Sequence, residues 1–241
     1  KTDLSQIEAR VLAWLADQND LLGYYWSGID VYCEFASKVF DREITKADPV
    51  ERFIGKTAVL GLGYGMGPEK FQATLKQSAE RIEIDFDKAL SVVRQYRSDF
   101  AYIPKLWVTL ENLLRQSRTM RSNDGFGISH KCVQATHNAI QLPNGMALKY
   151  PCLQMTPDGL AYKSMNKLVK TYGGRITENV VQALARIIIC DQMLAIQALD
   201  GFDVVLTVHD EIIAAADQSN PEEKLQTMID VMRTPPAWAS D

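Results

Sequence analysis

Several absences bound what this 241-residue chain can be. It has no C-x-x-C pair. Its four cysteines, Cys33, Cys132, Cys152 and Cys190, follow no regular spacing, so neither a disulfide framework nor a structural metal is expected, and a reducing compartment is the default. It has no excess of positive charge either: 26 Lys and Arg stand against 30 Asp and Glu, for a net charge of −4. That argues against a nucleic-acid binder that works by bulk charge, though not against one whose basic residues are confined to a cleft. No uncharged apolar run reaches membrane-spanning length. The nearest, Val180–Leu199, is interrupted by Gln182, Arg186, Asp191 and Gln192 and reads as a buried helix. There is no repeat and no low-complexity linker. The chain starts at Lys1 rather than Met, so it reads as a piece of a longer protein and the missing signal peptide carries no weight.

What is present is an ordinary globular composition, 46% hydrophobic and 23% charged, long enough for one large domain or two small ones. One stretch stands out, Asp203–Asp217. Two β-branched runs, Val204–Val208 and Ile212–Ala216, flank His209-Asp210-Glu211 and predict a tight hairpin. Its tip lacks the Asn-Gly or Asp-Gly that such turns prefer and carries two carboxylates and an imidazole instead. Taken alone, the plainer account is an Asp satisfying turn backbone. At the other end of the chain, Ile7, Val11, Leu12, Trp14 and Leu15 predict a helix beginning near Ser5, with Asp3 or Ser5 as its cap. Asp3 and Glu8 both lie near that helix start, where the helix dipole is a sufficient bland explanation and a cation a sharper one.

Further along, Asp30-Val31-Tyr32 predicts a helix start. Asp48-Pro49-Val50-Glu51 resembles a capping box, with a helix running to about Leu62 and ended by Gly61, Gly63, Gly65 and Gly67. Arg52, Lys56, Leu60 and Tyr64 recur every four residues and form one stripe. Two like charges one turn apart suit a polyanion lying along the helix, a triphosphate for example; a solvated basic face is the alternative. Two tempting motifs fail. Gly55-Lys56-Thr57 lacks the first P-loop glycine, since Val50 stands there, and it follows a helix cap instead of a strand. The Gly61–Gly67 cluster has the wrong spacing for a dinucleotide fold. The rest reads as helices over Glu69–Arg97 and Tyr102–Leu114, then a basic loop over Arg115–Lys131 that includes Asn123-Asp124-Gly125-Phe126-Gly127. Hairpins follow over Ala139–Tyr150 and Cys152–Met165. A long helix is expected from Thr177 as its cap to about Leu199, with Gln182 and Arg186 one turn apart on it, and a last helix over Asn220–Met232.

Taken in this order, the motifs resemble those of the family A DNA polymerases, the bacteriophage-type members in particular. Asp3-Leu4-Ser5-Gln6-Ile7-Glu8-Ala9-Arg10 resembles the first palm motif, Arg52-x3-Lys56-x3-Leu60-x3-Tyr64-Gly65 the fingers-helix motif, and Val208-His209-Asp210-Glu211 the last palm motif. The resemblance spans essentially the whole chain. It implies an α+β fold: a small antiparallel palm sheet packed on helices, with a mostly helical fingers subdomain and no thumb. Residues 1–16 and 173–241 would form the palm, and 17–172 the fingers with a hairpin insertion.

The roles it implies are specific. Asp3 and Asp210 would hold two Mg²⁺ ions, with the Leu4 carbonyl as a further ligand and Glu211 as a secondary acid. Two cations ~3.5–4 Å apart activate the primer 3′-oxygen and stabilise the leaving pyrophosphate. Arg52 and Lys56 would bind the triphosphate of the dNTP, Lys56 also as proton donor, and Tyr64 would sit at the base of the nascent-pair pocket. Glu8 would exclude a ribose 2′-hydroxyl, His209 would touch the primer end, and Gln182 the minor groove of primer-template DNA. Three departures stand out. Leu60 replaces an expected aromatic, Tyr32 an expected His, and the Arg and Asn expected upstream of Gln182 are each shifted by one, to Arg175 and Asn179. The implied protein is a cytoplasmic monomer with no membrane partner, and these residues without a thumb are expected to extend primers weakly or not at all. A single-subunit RNA polymerase is the nearest alternative, opposed by Glu8; a non-catalytic nucleic-acid-binding remnant is the other, opposed by the intact Asp3 and Asp210.

Overall fold

A computed structural model of the chain describes residues 1–121, 127–217 and 219–240. The chain enters as a two-residue strand, β1 (Thr2–Asp3), and turns into α1 (Ile7–Leu15). The helix starts two residues later than expected, and neither Asp3 nor Ser5 caps it. Asp3 is held in a strand pair, and the cap position is Gln6, in the left-handed region at φ 59° with no side-chain cap bond. A short helix that the aromatic-rich segment had concealed, α2 (Asn19–Trp26), precedes α3 (Val31–Phe40), whose N-cap is Asp30.

The next helix, α4 (Pro49–Leu62), has the expected bounds but not the expected cap. The Asp48 carboxylate accepts from the Thr45 N–H at 2.9 Å and from Arg42 at 2.9 Å, and Glu51 also pairs with Arg42 at 2.6 Å. The Arg42 fork has drawn both acids away from the helix start. Ile54, Ala58, Val59 and Leu62 bury one face of α4, which leaves the Arg52–Lys56–Leu60 stripe facing out. The expected continuous helix over 69–97 is two helices, α5 (Pro68–Gln77) and α6 (Phe86–Asp99), broken where Arg81 takes φ 47°. A long amphipathic helix, α7 (Tyr102–Ser117), follows.

Seven short strands then form two antiparallel sheets. β2 (Ser129–His130), β3 (Val133–Thr136), β4 (Ala139–Gln141) and β5 (Ala147–Lys149) make one; β6 (Gln154–Thr156), β7 (Gly159–Ser164) and β8 (Lys167–Lys170) make the other. Both expected hairpins are present, turned by Pro143-Asn144-Gly145 and Pro157-Asp158. The expected basic loop is largely absorbed into this framework. Arg115 pairs with Glu111 at 2.6 Å, Lys131 with Asp17 at 2.7 Å, and His130 Nε2 contacts the Leu15 carbonyl at 2.7 Å. Asn123-Asp124-Gly125-Phe126 lies outside the described residues.

The longest element, α8 (Gly173–Gln197), runs through the middle of the molecule against α1 and α7. It begins four residues before the predicted Thr177 cap. Thr177 is buried and its hydroxyl donates back to the Gly173 carbonyl at 2.8 Å from inside the helix. The two glycines before it serve close approach: a Cβ on Gly173 would lie 2.4 Å from the Trp107 carbonyl oxygen, and one on Gly174 2.3 Å from that of Tyr64. By length and composition α8 is apolar enough to cross a membrane, but half of its apolar stretch is buried inside the fold. The chain closes with β9 (Phe202–Val208), β10 (Glu211–Ala216), α9 (Pro221–Arg233) and a 3₁₀ turn at Ala237–Ala239.

β1, β10 and β9 form the third antiparallel sheet, in that order. Its small core joins Ile189, Ile196, Phe202 and Ile212 to Met228 and Met232 of α9. The larger core runs without a break from Leu12 and Leu15 of α1 through Phe71, Tyr96 and Leu110 to Val180 and Leu184 of α8. Apolar packing is thus continuous between α1 and the helices that follow it. All four cysteines are free.

Candidate active site

The site is built where the two ends of the chain meet. β-Branched residues make β9 and β10 good strands, and Glu211 pairs with Val208, so the hairpin loop is only His209-Asp210. His209 takes φ 53° in that loop. Left-handed backbone at a non-glycine residue costs on the order of 1–3 kcal/mol and persists only where the surroundings enforce it. β1 then adds to the far edge of β10, with Thr2 opposite Ile212 and Asp3 opposite Glu211. The Leu4 N–H donates to the Asp210 carbonyl at 3.0 Å. Ile212, fully buried, anchors the register beneath.

This pairing sets the Asp3 and Asp210 carboxyls side by side. The Asp3 pKa is raised, first by partial desolvation, then by the charges of Asp210 and Glu211 and by a hydrogen bond with Asp210. Two carboxylates about 4 Å apart repel by about 4 kcal/mol at an effective dielectric of 20, so their convergence calls for a positive charge between them. Glu211 is drawn away from the pair by Lys1 Nζ at 2.8 Å, a charge that also pulls the Asp3 pKa down, though by less than the acids raise it. The Leu4 carbonyl accepts the Ile7 N–H at 3.0 Å, which occupies one of its two lone pairs. Among the described residues no three His, Cys, Asp or Glu side chains gather as a metal-binding group. A donor set of two carboxylates and a carbonyl nevertheless fits Mg²⁺, which takes one or two carboxylates and completes its octahedron with water and substrate phosphate.

Beside the acid pair lies a cavity of about 300 Å³, bordered by Glu8, Leu60, Gln182, Arg186, His209 and Asp210. The hairpin tip, the start of α1, Leu60 of α4 and the middle of α8 thus meet at one opening. The Glu8 pKa is raised, first by desolvation and then by the charges of Glu178 and Asp210. Tyr64 is half-buried with its phenol pKa pushed up by burial and by Glu8 and Glu178. Asp3 borders a different cleft, of about 610 Å³, next to Arg10, Trp14 and Trp238.

The remaining candidates stand apart from the cavity wall. Lys56 is exposed one turn beyond Arg52. Arg52 is engaged: Nε and Nη2 donate to Asp30 Oδ2 at 2.9 and 2.8 Å, and its guanidinium lies 5.4 Å from the Tyr32 ring centre. Tyr32 is buried rather than open to a ligand. Arg175 is exposed, and Asn179 Nδ2 donates to the Tyr150 hydroxyl at 3.2 Å. Sequence reasoning missed three residues here. Glu178 faces Glu8 and Tyr64 one turn before Gln182, and that four-residue step was the available signal. Gln6 carries a buried Oε1 without a partner. Asp30 was read only as a helix cap.

The model of DNA polymerase family A matches residues 1–239. The chain belongs to DNA polymerase family A. It is 28% identical over 256 aligned positions to a DNA polymerase of Bacillus phage SP02, covering 99% of this chain and 38% of that protein. It is 25% identical to DNA polymerase I of Chloroflexus aurantiacus over 95% of this chain and 21% of that one. Among solved structures, the POL domain of Pol1 from M. smegmatis, in complex with DNA primer-template and dNTP, superposes with a TM-score of 0.65 at 21% identity. That match takes in 99% of this chain and 39% of the other, and it shows the shared fold. This family A chain thus spans well under half the length of these relatives.

Proposed function

We propose that the chain forms the palm and fingers of a template-directed DNA polymerase, transferring a deoxynucleotide to a primer 3′-hydroxyl with release of pyrophosphate. The observation that carries this reading is the side-by-side placement of Asp3 and Asp210 where β1 joins β10, with Asp210 bordering a cavity together with Glu8, Leu60, Gln182 and His209. Two Mg²⁺ ions, when bound, would supply the charge that lowers the barrier at the attacking and leaving oxygens. The residues of the chain do the rest. Asp3 and Asp210, with the Leu4 carbonyl, hold the cations, and Arg52 and Lys56 receive the triphosphate, Lys56 as the proton donor to the leaving group. Leu60 and Tyr64 shape the pocket for the base and sugar, and Glu8 crowds the 2′ position. His209 meets the primer end, while Gln182, with Arg175 and Asn179, faces the duplex. Residues 1–16 and 173–241 are the palm and 17–172 the fingers, and the protein acts as a monomer on primer-template DNA in the cytoplasm.

Primer extension with an extension-competent polymerase carrying these 241 residues tests the proposal. Incorporation that requires Mg²⁺ and prefers dNTP to rNTP supports it, and incorporation untouched by Asp210→Asn contradicts it. The preference for dNTP rests on Glu8, whose replacement by Ala is expected to admit ribonucleotides. Leu60→Tyr is expected to change dideoxynucleotide incorporation.

A further inference from the structure

We propose that Asp30 is the positioning residue for the Arg52 guanidinium, and that the first turn of α3 is a fixed rest holding this cation ready for a triphosphate. The inference rests on the reading of Arg52 as a triphosphate ligand. Asp30 uses its two oxygens for two tasks. Oδ1 accepts the N–H groups of Tyr32 and Cys33 at 3.1 and 3.2 Å, which fixes the carboxylate to the start of α3. Oδ2 accepts both Arg52 donors. The acid is therefore rigid before it meets the cation, unlike the partner in an ordinary surface pair of two long, mobile side chains.

The helices themselves are locked at this point. A Cβ on Gly55 would lie 2.2 Å from the Tyr32 carbonyl oxygen, so α3 and α4 touch at backbone level one turn from Arg52. The Tyr32 ring, 6% exposed, supports the guanidinium as Asp30 grips it. Two of five N–H donors go to Oδ2, the Cys33 thiol also lies within hydrogen-bond reach of the guanidinium, and the rest of the planar fork is directed by that grip.

The carboxylate has two opposed effects on an arriving polyanion. It repels it, and it removes the need to order Arg52 on binding. The repulsion is blunted because Arg52 already neutralises the acid and water reaches both groups, whose side chains are 31% and 23% exposed. Ordering one long side chain is worth about three- to tenfold in affinity, so the orienting effect is expected to win.

The test uses the 241-residue chain and inorganic tripolyphosphate, with binding read by calorimetry and the Arg52 Nε–H signal by nitrogen-15 NMR. Asp30→Asn and Asp30→Ser both keep a good N-cap, so α3 is retained. Both are expected to weaken tripolyphosphate binding by about three- to tenfold and to broaden an Arg52 signal that is sharp in the parent. Arg52→Ala weakens binding at least as much. Unchanged or tighter binding in both Asp30 variants, with Arg52→Ala still weakening it, overturns the positioning role and leaves the nucleotide reading intact. If Arg52→Ala has no effect, or the parent chain does not bind, the nucleotide reading fails and takes this inference with it. Loss of fold in both Asp30 variants also overturns it, since Asp30 would then be structural.

Discussion

The acidic corner at Asp3 and Asp210 and the basic corner at Arg52 are fixed in opposite ways. Backbone pairing sets the first: Asp3 lies opposite Glu211 in the ladder, and the Leu4 N–H reaches the Asp210 carbonyl. Its two carboxyls are left facing each other, with the Asp3 pKa raised. Side chains set the second: a carboxylate that caps one helix grips an arginine from the next, and the charges cancel. The first corner gathers negative charge, while the second pairs its cation with an acid of the same fold. On the proposed reading the first would take metal and the second a polyanion.

That contrast can be broken in several places. The largest effect belongs to Asp210→Asn, expected to lower Mg²⁺-dependent extension about a thousandfold or more, the scale of several kcal/mol of charge stabilisation. DNA binding should be spared, and without metal the urea midpoint should hold or rise, because Asp210→Asn relieves the repulsion from Asp3 and the backbone, not the carboxylate, shapes this corner. A urea titration showing a large loss of stability in that variant would remove the contrast. Ile212→Ala attacks the same corner from beneath. Deleting this buried side chain is expected to cost about 2–5 kcal/mol, read as a lower urea midpoint, with extension lost as well.

At the basic corner, Gly55→Ala forces a methyl group against the Tyr32 carbonyl and is expected to cost about 1–3 kcal/mol, with α3 and α4 loosened together. The smallest effect concerns acid. Burial pushes the Asp30 pKa up, but the Arg52 hydrogen bonds and charge and the Cys33 and Tyr32 N–H groups outweigh it, so the net value is lowered. The unfolded chain then binds more protons than the folded one between the ordinary carboxylate pKa and the lowered one. The stabilisation is complete above the ordinary value and is lost as pH falls through the folded one, by under about 1 kcal/mol for so exposed a pair. Asp30→Asn should flatten this limb of the stability-against-pH curve near pH 4 and below.

Much of the fold was legible where local chemistry decided it. The β9–β10 hairpin was announced by β-branched runs around His209-Asp210-Glu211, although Glu211 proves to be the first residue of β10; the other hairpins were announced by Pro-Asn-Gly and Pro-Asp-Gly, and α4 by Asp48-Pro49. What misled was side chains that can act on either side of a boundary. Thr177 looks like a cap, yet it lies inside α8, because Gly173 and Gly174 are small to admit the backbone of Trp107 and Tyr64, a requirement no local pattern states. Arg42 captured the acids that seemed to cap α4. At the cavity, Glu8, Leu60, Gln182, His209 and Asp210 of the motif residues line the wall, while Arg52 and Lys56 of the α4 stripe do not. The engagement of Arg52 by Asp30 was hidden, because a helix-cap reading already accounted for Asp30 and its second partner lies 22 residues away. Glu211, expected as a secondary acid, is paired in the fold with Lys1, a contact no local pattern states.

On the proposed reading, the sheet edge joining Asp3 to Asp210 is a divalent-cation site. Titrating the isotope-labelled chain with Mn²⁺ and following amide line broadening tests it most directly. The account predicts that the amides of Leu4 and Glu211 broaden first, that excess Mg²⁺ restores them, and that Asp210→Asn abolishes the effect. Early broadening centred elsewhere, or an Asp210→Asn chain that responds as the parent does, would contradict it.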